Sequence, residues 1–115
     1  MSDREWIVAC LCAEWCGSCR EYRDTFDAVA RELGTTARFA WIDIEDTPDV
    51  MGEIEVESFP SVLIAQGDAI AFYGALTPHA STLSSLVRKA LAGEMGRVED
   101  AALARLPARV REAVA

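Results

Sequence analysis

The sequence predicts an α/β fold, a central mixed sheet flanked by helices, and three observations carry that expectation. Trp6–Cys12 is an uninterrupted apolar run of strand length, the pattern of a parallel strand buried on both sides. From Gly17 to Leu33 the apolar positions Tyr22, Phe26, Val29 and Leu33 recur at helical spacing, and a second strand-like run, Arg38–Ile44, follows. Such a strand–helix–strand crossover makes the two strands parallel. Ser61–Ala65 and Ala69–Tyr73 then flank Gly67, a residue suited to a tight hairpin, so this second pair is antiparallel.

The remaining elements follow from local signals. Gly34 stops the first helix. Thr47–Ile54 is polar with Pro48 near its start, enough for one or two helical turns. Thr77 is expected to cap a helix with Pro78 at its first position, and Leu83, Leu86, Val87, Ala90 and Leu91 form its buried stripe. Gly93 ends it. Composition shifts there, which divides the chain into a domain over 1–93 and an Ala/Arg-rich helical extension over 94–115. Within the extension Leu103, Leu106, Val110 and Val114 are spaced three and four apart, and Pro107 interrupts them. Two short helices or one kinked helix satisfy that pattern.

A chain of 115 residues makes one domain and buries enough surface to need no disulfide scaffold. Its four cysteines, Cys10, Cys12, Cys16 and Cys19, nevertheless fall within ten residues, and none follows. They therefore read as one site. The net charge of −8 argues against nucleic acid and anionic membrane as partners. That charge is uneven: residues 1–87 carry −10 and residues 88–115 carry +2. Asp43 to Glu57 holds seven acidic residues and no basic one, either a solvated face or a rim that favours basic substrates. Trp6–Ala13, the longest apolar run, is far short of a membrane span, and Met1–Glu5 lacks the basic character of a signal peptide. The expectation is a cytoplasmic protein, where clustered cysteines are catalytic or metal-binding more often than structural.

Cys16-Gly17-Ser18-Cys19 lies after a buried strand, at the first turn of a helix. Three residues apart on a helix, two cysteines stand about 5–6 Å from each other, within reach of a disulfide. Free N–H groups and the macrodipole at a helix start stabilise an anion, so Cys16 is expected to be the attacking thiolate. Cys19, one turn in, is the resolving thiol, and Gly17 permits close approach of a substrate backbone.

At this point the chain resembles the thioredoxin family. Ala13-Glu14-Trp15-Cys16-Gly17-Ser18-Cys19 stands where the family has its Trp-Cys-Gly-Pro-Cys core, and Phe59-Pro60-Ser61 takes the place of its cis-proline motif. Gly74-Ala75-Leu76 matches the glycine-containing loop before the last helix, and the likeness spans roughly residues 6–92. The resemblance implies a thioredoxin-like fold and a thiol–disulfide oxidoreductase of cell redox homeostasis. Its substrate groove would be formed by Trp15, Gly17, Ser18, Phe59, Pro60 and Gly74. It implies protein thiols and disulfides as partners, with a thioredoxin-reductase-type enzyme or glutathione as electron donor, and a monomer without cofactor or metal.

Departures from the family are equally specific. Its buried acid, six positions before the first cysteine, is Cys10 here; its paired lysine is Trp41; an aromatic position is Cys12. Glu14 is a poor substitute for the acid, Asp24 stands where a helix-kinking proline often lies, and Ser18 adds a backbone N–H beside the thiolate. These changes imply a slower or more oxidising exchanger. The family's usual first strand and helix are also absent, because fifteen residues precede Cys16. The extension either covers the surface they would cover or forms a loose, partner-binding tail.

Three other functions stay open on the residues alone. Cys10, Cys12, Cys16 and Cys19 supply four sulfurs, enough for zinc or an iron–sulfur cluster. Cys10 or Cys12, auxiliary thiols on one strand face, can shuffle into the Cys16–Cys19 pair for redox sensing. A non-catalytic binding or assembly module is the third. His79, the only histidine, is placed in the first turn of the last helix of the domain, too far for a Cys–His pair.

Overall fold

Trp6–Cys12 forms β1, the strand around which the protein is organised, in a computed structural model that describes residues 5–13, 17–52, 54, 60–77 and 79–114. Helix α1 runs over Gly17–Leu33, β2 over Arg38–Asp43, β3 over Ser61–Gln66, β4 over Ala69–Ala75 and helix α2 over Ala80–Leu91. The sheet order is β2-β1-β3-β4. β1 pairs parallel with β2 and antiparallel with β3, and β3 pairs antiparallel with β4, so the sheet is mixed as expected. At the β3–β4 turn Gly67 has φ 58°, a conformation costly to any residue with a Cβ.

Because side chains alternate along a strand, β1 feeds two separate cores. Val8, Cys10 and Cys12 face α1 and α2, packing with Tyr22, Phe26, Val29, Leu83 and Val87. Ile7, Ala9 and Leu11 face the opposite way, toward Leu63, Ala65, Leu103, Leu106 and Val110. Residues Leu103–Val110 thus cover the second sheet face. A 3₁₀ turn over Ala101–Leu103 leads to helix α3 over Leu106–Ala113, two short pieces rather than one kinked helix. Pro107 lies in the first turn of α3, where its missing N–H costs nothing.

Arginines fasten this segment to the acidic body. Arg111 donates to the Gly67 carbonyl at 2.7 Å and pairs with Asp68 at 2.9 Å, while Arg38 donates to the Val114 carbonyl at 2.6 Å. The surplus of positive charge after residue 88 is in part a docking device.

Two local expectations shift. β4 continues to Ala75, because Ser61↔Ala75 and Val62↔Gly74 pair and Leu76 N–H reaches the Pro60 carbonyl at 3.3 Å. Gly74 therefore sits in a strand, and the chain stays extended for longer. Helix α2 starts only at Ala80, with His79 at its N-cap, and Thr77 Oγ1 meets Thr82 Oγ1 at 3.0 Å instead of capping. Pro78 lies outside the described residues. The end of α2 is as expected: Gly93, at φ 75°, donates to Ala90 while Glu94 N–H reaches Lys89, closing the helix with a left-handed cap. Among the described residues, no helix is long and apolar enough to cross a membrane.

Candidate redox site

β1 ends in Cys12 and α1 begins at Gly17, so only four residues separate the strand end from the helix start. Helix α1 presents Cys19, Tyr22, Phe26, Val29 and Leu33 to the sheet, a stripe at spacings of three and four. Cys19 is the first member of that stripe. It meets Cys12 directly: the two are joined in a disulfide, their Cα atoms 5.8 Å apart, within the usual span for such a bridge. Both residues are 1% exposed. The structure therefore gives Cys19 a partner that the sequence left as an auxiliary thiol. Cys16, the expected nucleophile, lies outside the described residues, as do Glu14, Trp15 and Phe59.

Cys10 is the third sulfur of the group. Two residues before Cys12 on the same strand face, its Sγ lies 3.5 Å from the Cys12 Sγ, and it is free and fully buried. Burial pushes its thiol pKa far above the ordinary value, and the Arg23 charge opposes this only partly. A thiol so held stays protonated and is a poor nucleophile. Beside it stands Tyr22, also buried, whose hydroxyl finds no hydrogen-bond partner among the described residues. Its phenol pKa is raised by desolvation and, secondarily, by the nearness of Cys10.

Trp41 stands next to Cys10 across the parallel ladder and packs edge-on against Phe26. Arg23 lies over its ring at 4.8 Å, so the position carries a cation held by an aromatic ring rather than a lysine. A cleft of about 580 Å³ opens here, lined by Cys19, Ala13, Arg20, Arg23, Trp41 and Asp43 among others. Chemically, the bridge can take up two electrons and two protons to become a pair of thiols, with a third sulfur alongside.

The other expected site residues fall in two places. Gly17 and Ser18 are exposed in the first turn of α1. Pro60 is buried one residue before β3, and the Leu11↔Ser61 pair puts it at the sheet end where β1 finishes in Cys12. Gly74 pairs with Val62 in the neighbouring strand. His79 is exposed at the N-cap of α2, and Asp24 is exposed on α1. As for metal, two of the four sulfurs are bonded to each other, and among the described residues no group of three or more His, Cys, Asp or Glu is placed to hold an ion.

Comparison with known proteins follows the same lines. The sequence profile of thioredoxin matches residues 1–89. A thioredoxin from Porphyra purpurea is 31% identical over 78 residues, covering 67% of this chain and 72% of that protein. A bifunctional thioredoxin reductase/thioredoxin from Mycobacterium leprae is 25% identical over 67 residues, 58% of this chain but only 15% of that much longer protein. In structure, the thioredoxin of Trypanosoma brucei brucei superposes with a TM-score of 0.68 at 23% identity, over 80% of each chain. The fold is thus thioredoxin-like. With a family match over most of its length and a bridged cysteine pair where β1 meets α1, the protein has a redox, thioredoxin-like role and belongs to the thioredoxin family.

Proposed function

We propose that the protein is a thiol–disulfide oxidoreductase that exchanges a Cys16–Cys19 dithiol or disulfide with protein substrates. The observation that supports this best is Cys19 itself, buried in the first turn of α1 and engaged in a disulfide, as a resolving cysteine must be able to do. Cys16, two residues ahead of Ser18 at the helix start, is the nucleophile. Its thiolate attacks a substrate disulfide, forming a mixed disulfide and releasing one substrate thiol. Cys19, as thiolate, then attacks the Cys16 sulfur, the second substrate sulfur leaves and takes up a proton, and Cys16–Cys19 is closed. The substrate's disulfide is reduced and the protein's dithiol oxidised, two electrons each.

Trp15, Gly17, Ser18, Phe59, Pro60 and Gly74 form the groove that holds the substrate chain in this proposal. The protein works as a cytoplasmic monomer. A reductase of the thioredoxin-reductase type or glutathione restores the dithiol, and the fused reductase of the Mycobacterium leprae relative supports the first. Insulin reduction with limiting dithiothreitol tests the reading: Cys16→Ser is expected to fall to the uncatalysed rate. Equal rates for Cys16→Ser and the parent would reject it.

A further inference from the structure

Four cysteines are more than exchange requires, and the bridge observed uses one that the proposed cycle does not. Cys12 and Cys19 are joined, each 1% exposed, with the residues 13–16 between β1 and α1 spanned by the bond. While that bond exists, Cys19 cannot resolve a mixed disulfide on Cys16. Cys16 then remains as a single thiol at the helix start. Cys16 precedes Cys19 by three residues in the sequence, the separation of the proposed pair, so two pairings compete for the Cys19 sulfur.

We infer that Cys19 alternates between two partners, and that the Cys12–Cys19 bridge is a parked, exchange-inactive state of the oxidised protein. This rests on the proposed roles of Cys16 and Cys19. Interconversion needs no outside oxidant or reductant. The Cys16 thiolate attacks the Cys19 sulfur, the Cys16–Cys19 bond forms as Cys12–Cys19 breaks, and the electron pair goes to the Cys12 sulfur, which takes up the proton that Cys16 gave up. One disulfide is exchanged for another. Cys10 does not enter the exchange: buried 3.5 Å from the Cys12 sulfur, it is positioned as a neutral S–H donor to Cys12 when that sulfur is released.

The sequence makes the two pairings separable. Cleavage after Glu5, Glu14 and Glu21 gives peptide 6–14, with Cys10 and Cys12, and peptide 15–21, with Cys16 and Cys19. Full-length protein is oxidised with glutathione disulfide, quenched in acid, cleaved and mapped by mass spectrometry. The expected result is a 6–14/15–21 linked species through Cys12 and Cys19 in the parent, in Cys16→Ser and in Cys10→Ser, absent from Cys12→Ala. In the insulin assay with limiting dithiothreitol, Cys12→Ala and Cys12→Ser are expected to run about twofold faster or more, the gain from releasing an equally populated inactive state. A parent that carries only the bond within peptide 15–21 overturns the inference and leaves the proposed function standing. So does a linked species with no rate gain in either Cys12 variant, which would make the bridge a permanent staple. A Cys16→Ser protein as active as the parent rejects the proposed function instead.

Discussion

The two faces of the sheet are built from alternate residues of the same strand, yet they do different work. On one face β1 contributes Val8, Cys10 and Cys12 and meets the aromatic and sulfur side chains of α1. On the other it contributes Ile7, Ala9 and Leu11 and meets the aliphatic side chains Leu103, Leu106 and Val110. The first face accepts imperfect packing chemistry, including a buried thiol and an unpartnered phenol, around the bridge. The second holds no cysteine: its core is aliphatic apart from Met51, with Tyr73 packed at its margin. Segregation of this kind lets redox changes occur at one surface of β1 without disturbing the other.

Substitutions on the two faces are expected to differ in graded steps. Leu106→Ala, on the aliphatic face and fully buried, is expected to cost about 2–5 kcal/mol in urea unfolding, with the Cys12–Cys19 bond unchanged by peptide mapping. On the sulfur face the expected signature is pH dependence. The folded state raises the Cys10 thiol pKa above its ordinary 9.0, so it keeps a proton that the unfolded chain gives up. This contribution to stability is therefore whole well below pH 9.0 and is lost as pH rises through it, the slope approaching about 1.4 kcal/mol per unit once the unfolded thiol is mostly ionised. Unfolding at pH 8.0 and 9.5 shows a larger loss in the parent than in Cys10→Ala, and Tyr22, whose ordinary pKa is 10.0, adds its own loss mainly above that range. Tyr22→Phe removes a buried hydroxyl without a partner and is expected to gain about 1 kcal/mol. Smallest is Asp68→Ala: its carboxylate is 74% exposed where it pairs with Arg111, so the loss stays below about 1 kcal/mol and shrinks with added salt.

Much of this arrangement could be read from the sequence, and what could not has a physical cause. Continuous apolar composition marked β1 at Trp6–Cys12, and helical spacing marked α1 at Gly17–Leu33, because those patterns are local. The Cys12–Cys19 bridge is not local in that sense. It depends on how α1 docks against the sheet, which no spacing rule states. A signal was nevertheless present: stepping the Tyr22, Phe26, Val29 stripe back by three residues reaches Cys19 and turns it toward the face that carries Cys10 and Cys12. The docking of α3 was half legible: Leu103, Leu106 and Val110 read as a stripe and covering the sheet was one of two alternatives, but Pro107 reads as a breaker until it is seen in a first turn. Gly74 was misplaced because pairing with Val62, not its own flexibility, sets its conformation.

In the proposed cycle, substrate chemistry enters through Cys16, the residue before α1 in the sequence, and passes to Cys19. Trapping tests it most directly. Cys19→Ser protein, incubated with a disulfide-containing protein substrate and cleaved after glutamate, should hold that substrate on peptide 15–21, at Cys16. Substrate attached to peptide 6–14, at Cys10 or Cys12, or no covalent adduct at all, would contradict it.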